Sequence, residues 1–205
     1  MRGRFITLEG GEGVGKSTQA RLLAEAVRAR GHQVVETREP GGSPGAEGIR
    51  ALLLSGANER WSPQSEALLF AAARADHVER TIRPALEAGS WVICDRFIDS
   101  SIAYQGWANG TGEDTIRSLH AIGSEGLYPD RTLLLDLAEG AGRARQRDGG
   151  GGDRIGARSS DYHERVISAF IALARAEPTR FRLVDASGPV ELVTDRLVAA
   201  IEDYL

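Results

Sequence analysis

The chain has little cysteine, little lysine and no excess of basic residues. Cys94 is the single cysteine among 205 residues, so no disulfide can form within the chain, and a reducing compartment is expected. The formal net charge of −4 disfavours a nucleic acid as partner, whereas a small nucleotide would need only a local basic pocket. No apolar run is long enough to span a membrane, and the stretch after Met1 is too short for a signal peptide. We therefore expect a cytoplasmic protein without a nucleic-acid or membrane partner.

Lysine occurs once, although lysine and arginine together number 25. Because the chain otherwise uses arginine, the position that keeps lysine indicates a site that needs a slim, flexible point charge and not a planar fork. This lysine, Lys16, lies in the segment Gly10-Gly11-Glu12-Gly13-Val14-Gly15-Lys16-Ser17, which matches the pattern G-x-x-x-x-G-K-[ST]. The segment stands between a predicted strand and a predicted helix, as this motif requires.

The motif predicts a loop that binds the phosphates of a nucleoside triphosphate. Glycines let backbone N–H groups turn inward around phosphate oxygens, and the following helix adds the positive end of its dipole. Lys16 would reach the β- and γ-phosphates, and the hydroxyl of Ser17 would bind Mg²⁺. The alternative, a chance match in a glycine-rich chain, does not explain the strand–loop–helix context. The predicted ATP-binding residues of the loop are Gly10, Gly11, Glu12, Gly13, Val14, Gly15, Lys16, Ser17 and Thr18.

Such a loop usually works with an aspartate at the end of a neighbouring buried strand. Asp95 and Asp136 each follow an apolar run. We favour Asp95 as the metal-side carboxylate because Arg96 follows it at once and adds a phosphate-side cation. A guanine-specific Asn-Lys-x-Asp signature is absent, since the one lysine belongs to the phosphate loop.

The apolar pattern predicts alternating strands and helices. The predicted strands are Phe5–Glu9, Gln33–Arg38, Trp91–Asp95, Arg131–Asp136 and Arg182–Asp185. Most are continuous apolar runs, which is typical of strands buried on both faces. The predicted helices cover residues 16–30, 62–88, 158–176 and 189–204, with Ser62 as an N-cap and a kink at Pro84. The pattern predicts an α/β fold with a parallel sheet and helices on both faces, forming one domain over residues 1–205.

A glycine run interrupts the pattern between residues 148 and 153. It excludes a regular helix or strand there. Arginines surround it, at positions 143, 145, 147, 154 and 158. One interpretation is a solvated surface loop, and the other is a mobile flap that brings arginines over a phosphate.

Three further segments, in this order after the phosphate loop, resemble the bacterial thymidylate kinase family over nearly the whole chain. They are Thr37-Arg38-Glu39-Pro40-Gly41-Gly42 with Arg50, then residues 69–78, and then Asp95-Arg96-Phe97-Ile98-Asp99-Ser100-Ser101-Ile102-Ala103-Tyr104-Gln105-Gly106. The resemblance implies a P-loop NTPase fold with strand order 2-3-1-4-5 and a mobile lid at about residues 143–158. It also implies a homodimer that uses Mg²⁺ and transfers the γ-phosphoryl group of ATP to dTMP, in dTTP synthesis for DNA replication.

Phe70 and Arg74 are four residues apart on a predicted helix and so share a face. The residues alone leave two interpretations open: core packing for Phe70 with a surface ion pair for Arg74, or stacking on a base beside a donor to a base carbonyl. The resemblance implies the second, with the base stacked on Phe70 and a pyrimidine carbonyl bound by Arg74.

The resemblance assigns the remaining site residues by position. It places the acceptor phosphate on Arg96 and Arg50 with Arg38 nearby, the base edge on Ser101 and Gln105, and the deoxy sugar against Tyr104 and Glu12. It implies catalytic roles for Lys16, Asp95, Arg96, Arg147 and Arg154, with Arg143 as a further ATP-binding candidate, and metal binding by Ser17 and Asp95. Each of these arginines could also be an ordinary surface residue in a chain so rich in arginine. Two alternative functions stay open: another nucleoside or nucleoside monophosphate kinase, and a non-catalytic ATP-sensing module.

Overall fold

The computed structural model describes residues 2–57, 59–136 and 154–205. Five strands form one parallel sheet of order β2-β3-β1-β4-β5, which confirms the predicted fold class and strand order. The strands are β1 (Phe5–Glu9), β2 (Val34–Arg38), β3 (Trp91–Asp95), β4 (Arg131–Asp136) and β5 (Phe181–Asp185). In register, Leu8 of β1 lies between Asp95 of β3 and Leu133 of β4. The carboxyl ends of all five strands therefore meet at one edge, where ligands bind in open α/β sheets.

Eight α-helices connect the strands within the described residues. They are α1 (Lys16–Ala29), α2 (Pro44–Leu54), α3 (Pro63–His77), α4 (Arg83–Glu87), α5 (Ile98–Ser101), α6 (Glu113–Ser124), α7 (Ser160–Ala176) and α8 (Val190–Ala199). Three of them, α2, α5 and α6, were not predicted from the sequence pattern. Among the described residues, no helix is both long enough and apolar enough to cross a membrane.

The sheet has a hydrophobic core on each face. Along β1, Ile6 and Leu8 point to one face, where α1 and α8 pack, and Phe5 points to the other. The second face is covered by the longer set of helices, including α3, α6 and α7. Because both faces are covered, the central strands are continuously buried, which explains their unbroken apolar runs.

The predicted helix over residues 62–88 is continuous but not uniform. Ser62 caps it as predicted, since the Ser62 hydroxyl accepts a hydrogen bond from the Ser65 backbone N–H at 3.2 Å. A π-helical turn over Val78–Ile82 separates α3 from α4, and Pro84 lies directly after it. Proline has no N–H to donate and its ring would clash with the preceding turn, so the helix widens there.

A second π-helical segment, Ile102–Ala108, continues α5. It carries Tyr104 and Gln105, both buried. Such widened turns are frequent at functional sites because they turn side chains away from a regular helix face.

Much of the predicted lid lies outside the described residues. Arg143, Arg145 and Arg147 fall there, together with the glycine run. The described part begins at Arg154 and leads into α7 at Ser160, two residues later than the predicted helix start.

Candidate active site

A cleft opens at the carboxyl edge of the sheet, beyond β1, β2 and β3. Its cavity volume is about 410 Å³. The lining residues are Glu12, Gly13, Gly15, Lys16, Ser17, Thr18, Arg38, Glu39, Pro40, Arg50, Leu54, Phe70, Arg74, Asp95, Arg96, Phe97, Ser100, Ser101, Tyr104, Gln105 and Ile155. The phosphate loop and the predicted acceptor residues thus share one cavity.

The phosphate loop depends on the conformational freedom of glycine at its two ends. Gly10 has φ 141°, and a Cβ there would lie 2.5 Å from the Leu135 carbonyl oxygen. Gly15 has φ 93° and immediately precedes α1. A residue with a side chain would be strained at either position, so the close turn into the helix N-terminus requires glycine.

The side chain of Lys16 folds back against the phosphate loop. Its Nζ donates to the backbone oxygens of Gly10 at 3.2 Å and Gly11 at 2.7 Å. Burial, and next the charge of Arg96, lower the pKa of Lys16 to about 8. The lysine is therefore a desolvated cation whose pKa lies close to neutral pH. The negative charge of a bound triphosphate would keep it protonated.

Ser17 and Asp95, the two predicted metal ligands, lie side by side in the cleft. The Ser17 hydroxyl donates to Asp95 Oδ2 at 2.5 Å. Asp95 Oδ1 is buried and has no hydrogen-bond partner among the described residues. A hydroxyl beside a carboxylate with an unpaired oxygen fits a cation that prefers oxygen ligands, such as Mg²⁺. Asp136, the other candidate, lies exposed at the end of β4 and does not line the cleft.

Arg96 is held in a strained backbone conformation that aims it at the phosphate loop. Its φ is 69°, in the left-handed region that costs a non-glycine residue about 1–2 kcal/mol. A backbone hydrogen bond from Arg96 N–H to the Leu8 oxygen at 3.0 Å holds this turn. The guanidinium donates to the Gly10 oxygen at 3.2 Å and to Glu12 Oε1 at 2.6 Å.

Glu12 and Tyr104 complete this side of the cleft. Tyr104 donates its hydroxyl hydrogen to Glu12 Oε1 at 2.9 Å, and the Arg96 guanidinium lies 5.0 Å from the centre of its ring. Although burial opposes the shift, the charges of Arg96 and Lys16 lower the pKa of Glu12 to about 2. Burial raises the pKa of Tyr104, which therefore stays a neutral donor. Glu12 is thus a fixed anion between two cations.

Across the cleft, Arg74 organises a polar pocket beside an aromatic ring. Arg74 is 3% exposed, its Nε donates to Glu39 Oε2 at 2.8 Å, and its Nη2 donates to the Ser101 hydroxyl at 2.7 Å. Within the part of the chain that the structure describes, Nη1 of Arg74 makes no hydrogen bond. Phe70 and Gln105 line the same pocket. A flat apolar surface with convergent donors and acceptors suits a planar heterocycle that carries carbonyl and N–H groups.

The model of the thymidylate kinase family matches residues 8–197 of the chain. The chain belongs to the thymidylate kinase family. It is 62% identical over 207 residues to a thymidylate kinase of Rhizorhabdus wittichii, and the match covers 100% of both proteins. It is 48% identical to a thymidylate kinase of Caulobacter vibrioides, over 100% of this chain and 96% of that protein. The crystal structure of thymidylate kinase from Ehrlichia chaffeensis has 32% identity and a TM-score of 0.81, and covers 98% of this chain and 100% of that chain.

Family membership confirms the resemblance that the motifs carried. The structure brings the phosphate loop together with all nine of the predicted acceptor residues. Phe70 is partly buried against the core and also lines the cleft, so the two interpretations of it are compatible. For Arg74, the alternative of a surface ion pair is wrong, because its ion pair with Glu39 is buried.

Two predicted phosphate ligands, Arg38 and Arg50, also line the cleft. Arg38 forms an ion pair with Glu47 at 3.1 Å and is half exposed. Arg50 donates to the Pro40 backbone oxygen at 2.5 Å.

The structure does not bring Arg154 to the cleft. Its side chain is fully buried, donates to Glu66 Oε2 at 2.6 Å and donates to the Leu53 oxygen at 2.9 Å. In this arrangement Arg154 anchors the segment before α7 and does not face the phosphate loop, contrary to the expectation of a catalytic role. Arg143 and Arg147 lie outside the described residues, and their roles remain predictions.

Three carboxylates near the cleft were missed by sequence reasoning. Glu39 accepts hydrogen bonds from Arg74 and from His77, and Glu66 binds Arg154. Glu9 accepts from the Phe97 N–H at 2.8 Å, and burial raises its pKa to about 8. Buried glutamates are rare unless they are paired, so Glu66, within the helical segment 62–88, could have been noticed as a polar residue among apolar ones.

Proposed function

We propose that the chain transfers the γ-phosphoryl group of ATP to dTMP and forms dTDP and ADP. The observation that carries the proposal is the shared cavity, with a complete phosphate loop on one side and the Arg74 pocket on the other. A protein that only sensed ATP would not need a second polar pocket opposite the triphosphate. Family membership supports the same conclusion.

The base pocket favours a pyrimidine with carbonyl groups. Arg74 Nη1 can donate to a carbonyl oxygen, and its other nitrogens are fixed by Glu39 and Ser101. Phe70 offers its ring to one face of the base. The resemblance assigns Tyr104 and Glu12 to the sugar, and the hydrogen bond between them would leave no space for a 2′-hydroxyl.

Alignment and charge neutralisation would carry the reaction. The acceptor oxygen of a nucleoside monophosphate is already anionic near neutral pH, so no strong general base is needed. Lys16 would bind the β- and γ-phosphates, while Arg96 and Arg50 would hold the acceptor phosphate in line with them. In a closed, water-poor cleft these cations stabilise the charge that develops on the transferred group.

Ser17 and Asp95 are the residues that would hold Mg²⁺. When bound, Mg²⁺ would supply positive charge that neutralises part of the charge of the phosphates. The described residues contain no cluster of three or more histidine, cysteine, aspartate or glutamate side chains that could hold a metal.

The resemblance also implies a homodimer, and we place its interface on α2, α3 and α6. These helices pack side by side, α2 on α3 and α3 on α6. Each carries an exposed apolar side chain: Leu52 is 42%, Leu68 is 57% and Ile122 is 81% exposed. Light scattering after gel filtration should give the mass of two chains, and Ile122→Glu should shift it towards one.

Product identification tests the proposed activity. The chain is mixed with MgATP and each of several nucleoside monophosphates in turn. The products are separated and identified by mass spectrometry. We expect dTDP and ADP in equal amounts with dTMP, and none with the Lys16→Ala variant. Faster turnover of a different monophosphate, or ADP without dTDP, would reject the assignment.

A further inference from the structure

Glu66 is a buried carboxylate that joins the base pocket to the segment before α7. It is 0% exposed and accepts four side-chain hydrogen bonds. Its Oε1 accepts from Gln105 Nε2 at 3.1 Å and from Asn109 Nδ2 at 2.8 Å. Its Oε2 accepts from Arg154 Nη2 and Arg158 Nη2, both at 2.6 Å. Of Glu66 and its four partners, only Gln105 lines the cleft.

Four donors converge on the two oxygens of Glu66, and two of them are guanidinium groups. Guanidinium and amide N–H groups can only donate, so both oxygens of Glu66 act as acceptors. The amide of Gln105 must therefore turn its NH₂ group towards Glu66. Its carbonyl oxygen, Oε1, has no hydrogen-bond partner among residues 2–57, 59–136 and 154–205, and it is the part of the amide left for the cleft.

We propose that Glu66 is a positioning residue for base selection, acting through the amide of Gln105. This inference rests on the proposed function and extends it. A fixed amide oxygen in the cleft accepts from the N3–H of thymine or uracil, whereas cytosine has an unprotonated N3 that presents a lone pair instead. Because both oxygens of Glu66 accept hydrogen bonds, Glu66 determines which end of the Gln105 amide faces the cleft, although Glu66 itself does not line the cleft.

The orientation cannot be maintained by Gln105 itself. The two ends of an amide have nearly the same shape, so only a neighbour that is purely an acceptor or purely a donor distinguishes them. Asn109, the other amide at Glu66, is fixed at both ends, because Arg158 Nη1 donates to its Oδ1 at 2.5 Å. Arg158 and Asn109 therefore close the network around Glu66 and exclude a second orientation.

The Glu66→Gln variant tests the proposal with almost no change in shape. A glutamine at 66 can donate or accept, so the amide of Gln105 can present either end to the base. We expect the ratio of kcat/KM for dTMP to that for dCMP to fall about tenfold. This is the effect of losing one buried hydrogen bond to the base. The fall should come from the KM for dTMP, with the KM for ATP unchanged.

Two controls separate positioning from general structure. Glu177→Gln removes a carboxylate that also pairs with two arginines, Arg117 at 3.0 Å and Arg180 at 2.8 Å, but does not line the cleft. We expect it to leave the dTMP:dCMP ratio unchanged. Gln105→Ala should lower the ratio, and adding Glu66→Gln to it should lower the ratio no further, because Glu66 acts through Gln105.

The proposal is overturned if Glu66→Gln keeps the wild-type ratio, or if it lowers the ratio equally in the Gln105→Ala background. A wild-type ratio in Gln105→Ala also overturns it, so the test does not depend on Glu66→Gln folding. Failure of the proposed function gives a different result, which is no dTDP from the wild-type chain. In that case, calorimetric binding of dTMP and dCMP still measures the preference that Glu66→Gln should reduce.

Discussion

Replacing Arg74 by lysine should damage the use of dTMP and leave the use of ATP unchanged. Arg74 is 3% exposed, and its nitrogens have different partners. Nε donates to Glu39, and Nη2 donates to Ser101 and to the Phe97 oxygen at 3.3 Å. Lysine keeps a cation beside Glu39 but has no planar fork, so it cannot serve Glu39, Ser101 and a base carbonyl together.

The magnitude follows from the single contact that is lost to the substrate. A hydrogen bond from a charged donor contributes about 1.5–3 kcal/mol, which corresponds to a decrease of about 10- to 150-fold in kcat/KM for dTMP. Arg74→Ala would be a less specific probe. It leaves Glu39 buried without its guanidinium partner, and breaking a buried pair in this way costs about 3–5 kcal/mol of folding stability.

The assay couples ADP formation to a spectroscopic signal and varies dTMP and ATP independently. Thermal unfolding of wild type, Arg74→Lys and Arg74→Ala separates lost stability from lost recognition. A higher KM for ATP with an unchanged KM for dTMP would refute the placement of Arg74 at the base. An unchanged kcat/KM for dTMP in a folded Arg74→Lys variant would do the same.

Three further predictions concern other parts of the molecule. Because burial lowers the pKa of Lys16 to about 8 and a bound triphosphate would hold it protonated, calorimetry should show ATP binding weaken as the pH rises above about 8, and a flat profile would contradict this. Tyr104→Ala should lower the preference for dUMP over UMP, since it opens space beside Glu12, and an unchanged preference would remove Tyr104 from sugar selection. Arg180→Ala should lower stability by about 3–5 kcal/mol by leaving Asp99 buried and unpaired, whereas the exposed control Arg21→Ala should cost under about 1 kcal/mol in chemical denaturation.

The sheet could be predicted from the sequence almost to the residue. Each predicted strand agrees with the structure within one residue at either end, because β1, β3 and β4 are buried along nearly their whole length and are therefore mostly apolar. The helices were harder to predict from the sequence. In α6, the buried residues Ile116 and His120 are four apart, a spacing that could have indicated it. The π-helical segment Ile102–Ala108 has no comparable signal, because its hydrogen bonds depend on packing.

The candidate site also has a part that the sequence predicts and a part that it does not. The first depends on neighbouring residues, and the second depends on contacts between distant ones. The phosphate loop is contiguous in sequence, so its pattern alone indicated Lys16 and Ser17. The environment of Arg74 depends on Glu39, which is 35 residues away, and no sequence pattern encodes that distance. The position of Arg154 outside the cleft could not be predicted for the same reason, because its partner Glu66 lies 88 residues earlier.

The free cleft already has the contacts that phosphates would replace. Lys16 donates to the backbone oxygens of Gly10 and Gly11, and Arg50 donates to the Pro40 oxygen. These acceptors are neutral, and a hydrogen bond between neutral and charged groups is weaker than one between two opposite charges. A bound phosphate would therefore exchange weaker partners for stronger ones without moving the cations far. Arg96 differs, because its partner Glu12 is an anion, so a phosphate gains less there. The ion pair with Glu12 therefore fixes Arg96 before substrate arrives, which is the property that in-line alignment of an acceptor requires.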